Sequence, residues 1–148
     1  MSFSDLAHDR YSERRFADTP VEQEKIDAII EAGRVAPTAH NRQPQRILIA
    51  RTPESLEKID KCTGCRFGAP LVFVLGYDMM LQAQELGVHS CWVGLIDPSE
   101  LRRQFDIPRN IRVVSVMPMG YPSERSHPAS LHTKRQPAED LFFYETYK

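Results

Sequence analysis

Five apolar residues stand in an unbroken row at Leu71-Val72-Phe73-Val74-Leu75. A strand with one face in water alternates apolar and polar residues, so this row predicts a central strand covered on both faces. A second buried strand is predicted from Val113 to Met119, and shorter strand-like segments lie at 47–50 and 91–94. Because helical segments alternate with these strands, the sequence predicts a layered α/β or α+β domain.

Three helices are predicted from their start signals. Thr19-Pro20-Val21-Glu22 offers a capping threonine, a first-turn proline and a glutamate that completes a capping box, and this helix is expected to end near Ala36. Thr52-Pro53-Glu54 opens a helix to about Asp60, and Asp97-Pro98-Ser99-Glu100 opens another to about Phe105. A fourth helix, from Met79 to Leu86, begins without a cap signal, and Gly87 is a plausible stop.

The connection before the strand near Ser90 is short. Only 12 residues separate Tyr77 from Ser90, and a crossover between parallel neighbouring strands needs about a dozen or more. The helix from Met79 to Leu86 would span only ~12 Å. Either the two strands are not parallel neighbours, or residues are missing after Asp78.

Composition excludes several classes of protein. The chain has 148 residues, with 19 Lys+Arg against 20 Asp+Glu, so binding of nucleic acid over the whole surface is not expected. Its apolar runs are shorter than the ~18 residues of a membrane span, and the first 15 residues lack a signal-peptide core, so no membrane is expected as a partner. Three cysteines, an odd number, fit a reducing cytoplasm better than a disulfide framework. We therefore expect one globular cytoplasmic domain.

The standard catalytic motifs are missing from the sequence. It has no glycine-rich dinucleotide motif, no phosphate-binding P-loop, no HExxH and no GxSxG. Cys62-Thr63-Gly64-Cys65 is a single CxxC, which could be half a zinc site or a redox dithiol. No second pair accompanies it, so ordinary thiols are the favoured interpretation and no metal is expected.

Two basic clusters could bind an anion. Arg10-Tyr11-Ser12-Glu13-Arg14-Arg15-Phe16 places two arginines four apart with a hydroxyl between them, and Lys134-Arg135 lies near the other end of the chain. Guanidinium and hydroxyl groups are good phosphate donors. The alternative is that both clusters are solvated surface charges, because exposure is the default for charged residues.

Two further segments suit a heterocyclic ligand. The loop from Pro37 to Pro44 carries Asn41 and Gln43, whose amides could read the polar edge of a heterocycle, although a turn can also need such residues for shape alone. Trp92-Val93-Gly94 ends an apolar segment with a glycine, which lets a flat ligand approach the backbone. The alternative there is a strand end with a core tryptophan.

Taken together and in order, these segments resemble the nitroreductase family of flavin enzymes. The resemblance extends over almost the whole chain, and the matching stretches are 10–16, 31–44, 86–94, 119–122 and 132–137. The resemblance implies an α+β, nitroreductase-like layered fold with a central mixed β-sheet flanked by helices. It also implies an intertwined homodimer with FMN sites at the interface.

The resemblance also implies which residues bind FMN. Those of the N-terminal cluster are Arg10, Tyr11, Ser12 and Arg14, and those of the C-terminal cluster are Lys134 and Arg135. The loop residues, expected to come from the partner subunit, are Pro37, Thr38, Ala39 and Asn41. Trp92, Val93 and Gly94 are expected to line the isoalloxazine ring, and the aromatic tail to wrap over the other subunit. The flavin carries the chemistry in such enzymes, so no catalytic side chain is expected.

The sequence departs from the family pattern at two points. Gln45 stands where the pattern Asn-x-Gln-Pro-Trp has tryptophan. Family members also carry a longer segment at the 78/79 junction, which is where the connection is short. Three explanations stay open: residues omitted from the sequence, a naturally shortened chain, and an engineered deletion. We favour the first, because helices rarely begin without a cap.

The resemblance leads to one function and two alternatives. We expect an FMN-dependent oxidoreductase that uses NAD(P)H in a ping-pong cycle to reduce nitroaromatics, quinones or similar electron-poor small molecules. The alternatives are a flavin- or ligand-binding dimer with little turnover, and a structural dimer that has lost FMN.

Overall fold

The computed structural model describes residues 2–36, 38, 40, 43, 46–74 and 79–142. In these ranges it has six helices and four strands. In chain order they are α1 (Phe3–Asp9), α2 (Gln23–Val35), β1 (Leu48–Ala50), α3 (Pro53–Cys62), β2 (Leu71–Val74), α4 (Met79–Glu85), β3 (His89–Ser90), α5 (Pro98–Phe105), β4 (Met117–Gly120) and α6 (Ala138–Leu141).

The four strands form one sheet in the order β1-β2-β4-β3. Each pairing is antiparallel, with Ile49 opposite Phe73, Val72 opposite Pro118 and Ser90 opposite Met119. The prediction of an α+β fold is confirmed. The mixed sheet is a correction, because within the described ranges the only parallel pairing is an isolated bridge of Ser12 with Ser90 at the sheet edge.

Helices cover both faces of the sheet, as the apolar row in β2 predicts. Leu71 and Phe73 belong to one core, with side chains of α2, α4 and β4. Val72 and Val74 point the other way, into a second core with side chains of α3 and α5. Because successive side chains of a strand alternate between faces, β2 contributes to both cores and is buried along its whole length.

The strand order resolves the geometric problem of the short connection. Strands β2 and β3 run in the same direction, since each is antiparallel to β4, but β4 lies between them. They are therefore not neighbours, which is the first of the two geometric alternatives. Helix α4 packs on α2, where a Cβ added to Gly33 would lie 2.9 Å from the Met79 side chain. Residues 75–78, with the predicted 78/79 junction, lie outside the described residues.

The helix starts are confirmed at two positions and wrong at a third. The Thr52 hydroxyl accepts from the Ser55 amide at the start of α3, and the Asp97 carboxylate accepts from the amides of Ser99 and Glu100. The capping box with Glu100 does not form, because the Asp97 amide donates to the Cys62 carbonyl instead, at 2.8 Å.

Helix α2 starts later than the sequence predicts. Its N-cap is Glu22, whose side chain makes no capping bond, so the predicted box between Thr19 and Glu22 is wrong. The Glu22 carboxylate instead accepts a hydrogen bond from the Tyr121 hydroxyl and lies 3.7 Å from Lys25. Tyr121, a long-range partner, and Lys25, one helical turn away, thus occupy the Glu22 carboxylate in place of the predicted capping bond. Within the described ranges, no helix is long and apolar enough to cross a membrane.

Candidate functional site

The N-terminal segment 10–17 lies between the sheet edge and the segment that follows β4. The Glu13 amide donates to the Ser90 carbonyl at 3.0 Å, which fixes the segment beside β3. On the other side, the Ala17 amide donates to the Tyr121 carbonyl and the Ser123 amide donates to the Arg15 carbonyl, both at 2.8 Å. These backbone bonds bring the first cluster close to the segment 89–94, from which it is distant in sequence.

Two arginines of this segment remain available for an anion. Within the described ranges, neither Arg10 nor Arg14 forms an ion pair, and Arg14 Nη1 donates only to the Ser12 carbonyl, at 3.2 Å. Arg15, in contrast, is engaged, since its Nη1 donates to the Arg125 carbonyl at 2.7 Å and lies 3.1 Å from His127 Nε2. The first cluster therefore contains two arginines without a described ion pair, Arg10 and Arg14, and one arginine, Arg15, that is bound to the segment 125–127.

The surroundings of the Cys91 thiol show that the N-terminal cluster lies close to the segment 91–94. Burial raises the pKa of the Cys91 thiol, whereas Arg14, a hydrogen bond with Ser12 and Arg10 lower it. Three of the four predicted N-terminal contacts, all but Tyr11, thus act on the residue directly before Trp92. The structure thus brings the N-terminal cluster and the segment 91–94 together at one corner of the fold.

The segment 92–94 alternates between core and surface. Val93 is buried in the second core, and its amide and carbonyl pair with Val116 at 3.0 Å. Its side chain therefore packs in the core. Trp92 is half-buried and Gly94 is exposed, and a Cβ added to Gly94 would meet no atom within 4 Å. Trp92 and Gly94 are therefore the residues of this segment that a flat ligand can reach.

The C-terminal cluster approaches the same corner through His132. The Tyr11 ring meets the His89 ring edge-on at a centroid distance of 5.2 Å and the His132 ring at 5.9 Å. Lys134 and Arg135 lie two and three residues after His132, and both are exposed. An open cavity of about 580 Å³ lies between this turn and α1, and it is lined by Phe3, Ser4, Ala7, His8, His132, Thr133 and Arg135.

Glu13 is a buried carboxylate that the sequence did not single out. It is 1% exposed. Its Oε1 accepts from the amides of Arg14 and Arg15, both at 2.8 Å. Its Oε2 accepts a short hydrogen bond from the Ser126 hydroxyl and one from the Tyr11 hydroxyl at 3.1 Å. Burial lowers the pKa of His89, whose Nδ1 lies 3.5 Å from the same oxygen.

The loop 37–44 is described only in part. The Thr38 hydroxyl accepts from the Gln43 amide at 3.0 Å, and His40 and Gln43 both have left-handed backbone angles. The contacts described for Thr38 do not join it to the corner formed by the other clusters. Pro37, Ala39 and Asn41, along with Gln45, lie outside the described residues.

The CxxC lies at the end of α3, with Cys62 in the second core and Cys65 half-buried against it. Cys62 is buried, and its thiol donates to the Lys58 carbonyl at 3.1 Å. Burial, with Glu100 and Asp97 nearby, raises the pKa of this thiol to about 11. In the described part of the chain, no group of three or more metal-ligating side chains forms a candidate metal site.

The fold and site define an α+β protein whose cationic corner lies beside an exposed glycine and a half-buried tryptophan. Comparison with known proteins identifies the class. The sequence matches the profile of the nitroreductase family over residues 7–67 and 72–121. The chain therefore belongs to the nitroreductase family.

Three relatives illustrate the likeness. A protein of Archaeoglobus fulgidus named "Putative NADH dehydrogenase/NAD(P)H nitroreductase" is 30% identical over 149 aligned positions, covering 80% of this chain and 84% of its own. A crystal structure of a nitroreductase family protein from Clostridium difficile 630 superposes with a TM-score of 0.89 and 33% identity, covering 99% of this chain and 100% of its own. The FMN reductase (NAD(P)H) of Bacillus subtilis is 25% identical, covering 94% of this chain and 72% of its own.

Proposed function

We propose that this protein is an FMN-dependent oxidoreductase that takes two electrons from NAD(P)H and passes them to an electron-poor small molecule. One observation carries the proposal: Arg10, Ser12 and Arg14 meet the segment 91–94 at one corner of the fold. Family membership and the Bacillus subtilis relative named FMN reductase support it.

The residues at this corner fit the chemistry of FMN. A phosphate needs cationic and hydroxyl donors, and Arg10, Ser12 and Arg14 supply them. Within the described ranges, no carboxylate pairs with either arginine. A flat ring needs a surface that allows close approach, and Gly94 leaves that space open beside Trp92. Lys134 and Arg135 would extend the cationic surface at the phosphate end.

The chain's own residues would bind and orient, and FMN, when bound, supplies the redox chemistry. Arg10 and Arg14 would hold the phosphate, and Trp92 and Gly94 would set the position of the ring. We propose a ping-pong cycle, in which NAD(P)H leaves the site before the acceptor enters. Nitroaromatics and quinones are the proposed acceptors, and no side chain is proposed as a nucleophile or general base.

We further propose that the active form is a homodimer with its FMN sites at the interface. Thr38 has no described contact with the corner in its own chain, which fits a contribution from the partner subunit. The exposed Leu141 and Phe142 supply apolar surface for such a contact. The three free thiols support a location in the reducing cytoplasm.

We also propose that the 148-residue sequence lacks an internal segment that its relatives carry, by omission of residues or by a shortened chain. The alignment with the Archaeoglobus protein runs over 149 positions yet takes in only 80% of this chain, so it includes positions that this chain lacks. The short connection at the 78/79 junction is our proposed place for them. An intact mass of 17.0 kDa for the purified protein would support a shortened chain, and a larger mass would mean that residues are omitted from the sequence.

Steady-state kinetics test the proposed reaction. With NAD(P)H varied at several fixed concentrations of a quinone such as menadione, a ping-pong cycle gives parallel double-reciprocal lines. Intersecting lines would contradict the ping-pong order. A protein that binds FMN yet shows no turnover with any acceptor would favour the alternative, a flavin-binding dimer.

A further inference from the structure

We propose that Glu13 is a positioning residue that joins the two cationic clusters into one phosphate site. This inference rests on the proposed function, since it concerns how the FMN phosphate is recognised. Glu13 would not touch the phosphate. It would fix the backbone that carries Arg10, Ser12 and Arg14 relative to the turn that carries Lys134 and Arg135.

The first observation is that the Glu13 carboxylate is buried and fully engaged. A buried carboxylate is costly unless hydrogen bonds satisfy both of its oxygens. Here the amides of Arg14 and Arg15 satisfy Oε1, and the hydroxyls of Ser126 and Tyr11 satisfy Oε2. Networks of this kind are rigid when every member has a partner.

The second observation is that the network spans the chain. Ser126 is 113 residues from Glu13, and its hydroxyl also lies 2.8 Å from the Tyr11 hydroxyl. Tyr11 in turn contacts the His132 ring, two residues before Lys134. Together with the contacts of Arg15 to Arg125 and His127, Glu13 therefore ties the N-terminal segment to the segment that leads to the C-terminal turn.

The third observation concerns how an anion can be held here. The amides of Arg14 and Arg15 both donate to Glu13, so they are not available to cradle a phosphate. In this proposal the side chains of Arg10, Ser12 and Arg14 are the phosphate donors of this segment, and their directions depend on the backbone that carries them. Arg14 is exposed next to this fixed backbone, and neither it nor Arg10 pairs with the carboxylate in the described ranges.

The test compares FMN with riboflavin, which lacks the phosphate. We expect Glu13→Ala to weaken FMN binding at least ~5-fold, since donors to the carboxylate lose their partner, while riboflavin binding changes less than ~2-fold. Glu13→Gln keeps an acceptor for the two amides, so it should restore part of the FMN affinity. Fluorescence titration measures both dissociation constants.

A second variant keeps the test valid if Glu13→Ala does not fold. Ser126→Ala removes one donor at the far side of the network and should also lower FMN affinity selectively, by a smaller factor. Ser130→Ala is the matched control, because Ser130 is exposed in the same segment and has no described side-chain contact. It should leave both affinities unchanged.

The outcomes separate this inference from the proposed function. Equal losses for FMN and riboflavin, or no loss in either variant, would overturn the positioning role while the proposed function stands. A wild-type protein that binds riboflavin as tightly as FMN would overturn the phosphate site itself, and with it this inference. Selective loss of FMN in the two variants, with Ser130→Ala unchanged, supports it.

Discussion

At the scale of single residues, Arg10 and Arg14 carry the phosphate part of the proposed site. Replacing Arg10 with alanine should weaken FMN binding by at least ~1 kcal/mol, the loss of one charge-assisted hydrogen bond. Arg14→Ala should do the same. Equilibrium titration with FMN measures the change. Arg109→Ala is the control, since Arg109 is exposed and has no described side-chain partner. Flavin affinity unchanged in Arg10→Ala and Arg14→Ala would reject the phosphate assignment.

Cys62 should be chemically inert at neutral pH. Its pKa is raised to about 11, first by burial, so the thiol stays protonated and is a poor nucleophile. Cys62→Ser should therefore leave turnover with NAD(P)H and a quinone unchanged. Loss of turnover in a variant that still binds FMN would make the CxxC a functional motif again.

The same thiol predicts a dependence of stability on pH. Because burial raises the pKa of the thiol in the folded protein above its ordinary value of 9.0, its contribution to the free energy of unfolding is complete below pH 9 and is lost as the pH rises through about 11. Chemical unfolding at a series of alkaline pH values should show wild type losing more stability than Cys62→Ser. Parallel curves for the two proteins would contradict this.

The residue scale also shows what a sequence can reveal about the site. Arg10, Ser12 and Arg14 were selected as candidates because two arginines four apart with a hydroxyl between them form a local pattern. Glu13 could not be predicted, since a charged side chain is exposed by default and its partner Ser126 is 113 residues away. The core position of Val93 was missed for a related reason, because the bridge to Val116 that buries it is a long-range contact.

At the scale of elements, two threonines test the helix starts. Thr52 caps α3 through its hydroxyl, so Thr52→Ala should lower the free energy of unfolding by ~1 kcal/mol. Thr19 was predicted to cap α2, but α2 starts at Gln23 after Glu22, so Thr19→Ala should change stability by less than ~0.5 kcal/mol. Urea unfolding of both variants gives the comparison. Equal losses would mean that Thr19 caps a helix after all.

Helices and strands could be predicted where the residues that determine them lie close together in the sequence. The start of α3 depends on a hydrogen bond between Thr52 and Ser55, which are three positions apart. Strand β2 is predicted by an unbroken row of apolar residues. The strand order did not follow from the sequence, because the position of β4 between β2 and β3 depends on contacts between distant segments. The mixed sheet was implied by the family resemblance and not by a pattern in these residues.

At the scale of the whole molecule, the C-terminal tail, residues 142–148, tests the proposed dimer. Phe142 is 70% exposed in the single chain. An apolar side chain this exposed is stabilised when another surface covers it, and the partner subunit of the proposed dimer would supply that surface. Removing the tail should therefore shift the protein toward monomer in sedimentation velocity and lower its melting temperature. Val114→Ser, at an exposed apolar residue outside the tail, is the control. A truncated protein that sediments and melts like wild type would count against the dimer contact.

An anaerobic absorption titration tests whether this family member binds FMN and takes electrons from NAD(P)H. The purified protein is reconstituted with FMN, freed of excess flavin and titrated with NADH and with NADPH. We expect a flavin spectrum that stays with the protein, bleaches with one equivalent of at least one of the two nucleotides per flavin, and returns when a quinone is added. A protein that retains no flavin, or whose flavin spectrum neither nucleotide changes, would contradict this expectation.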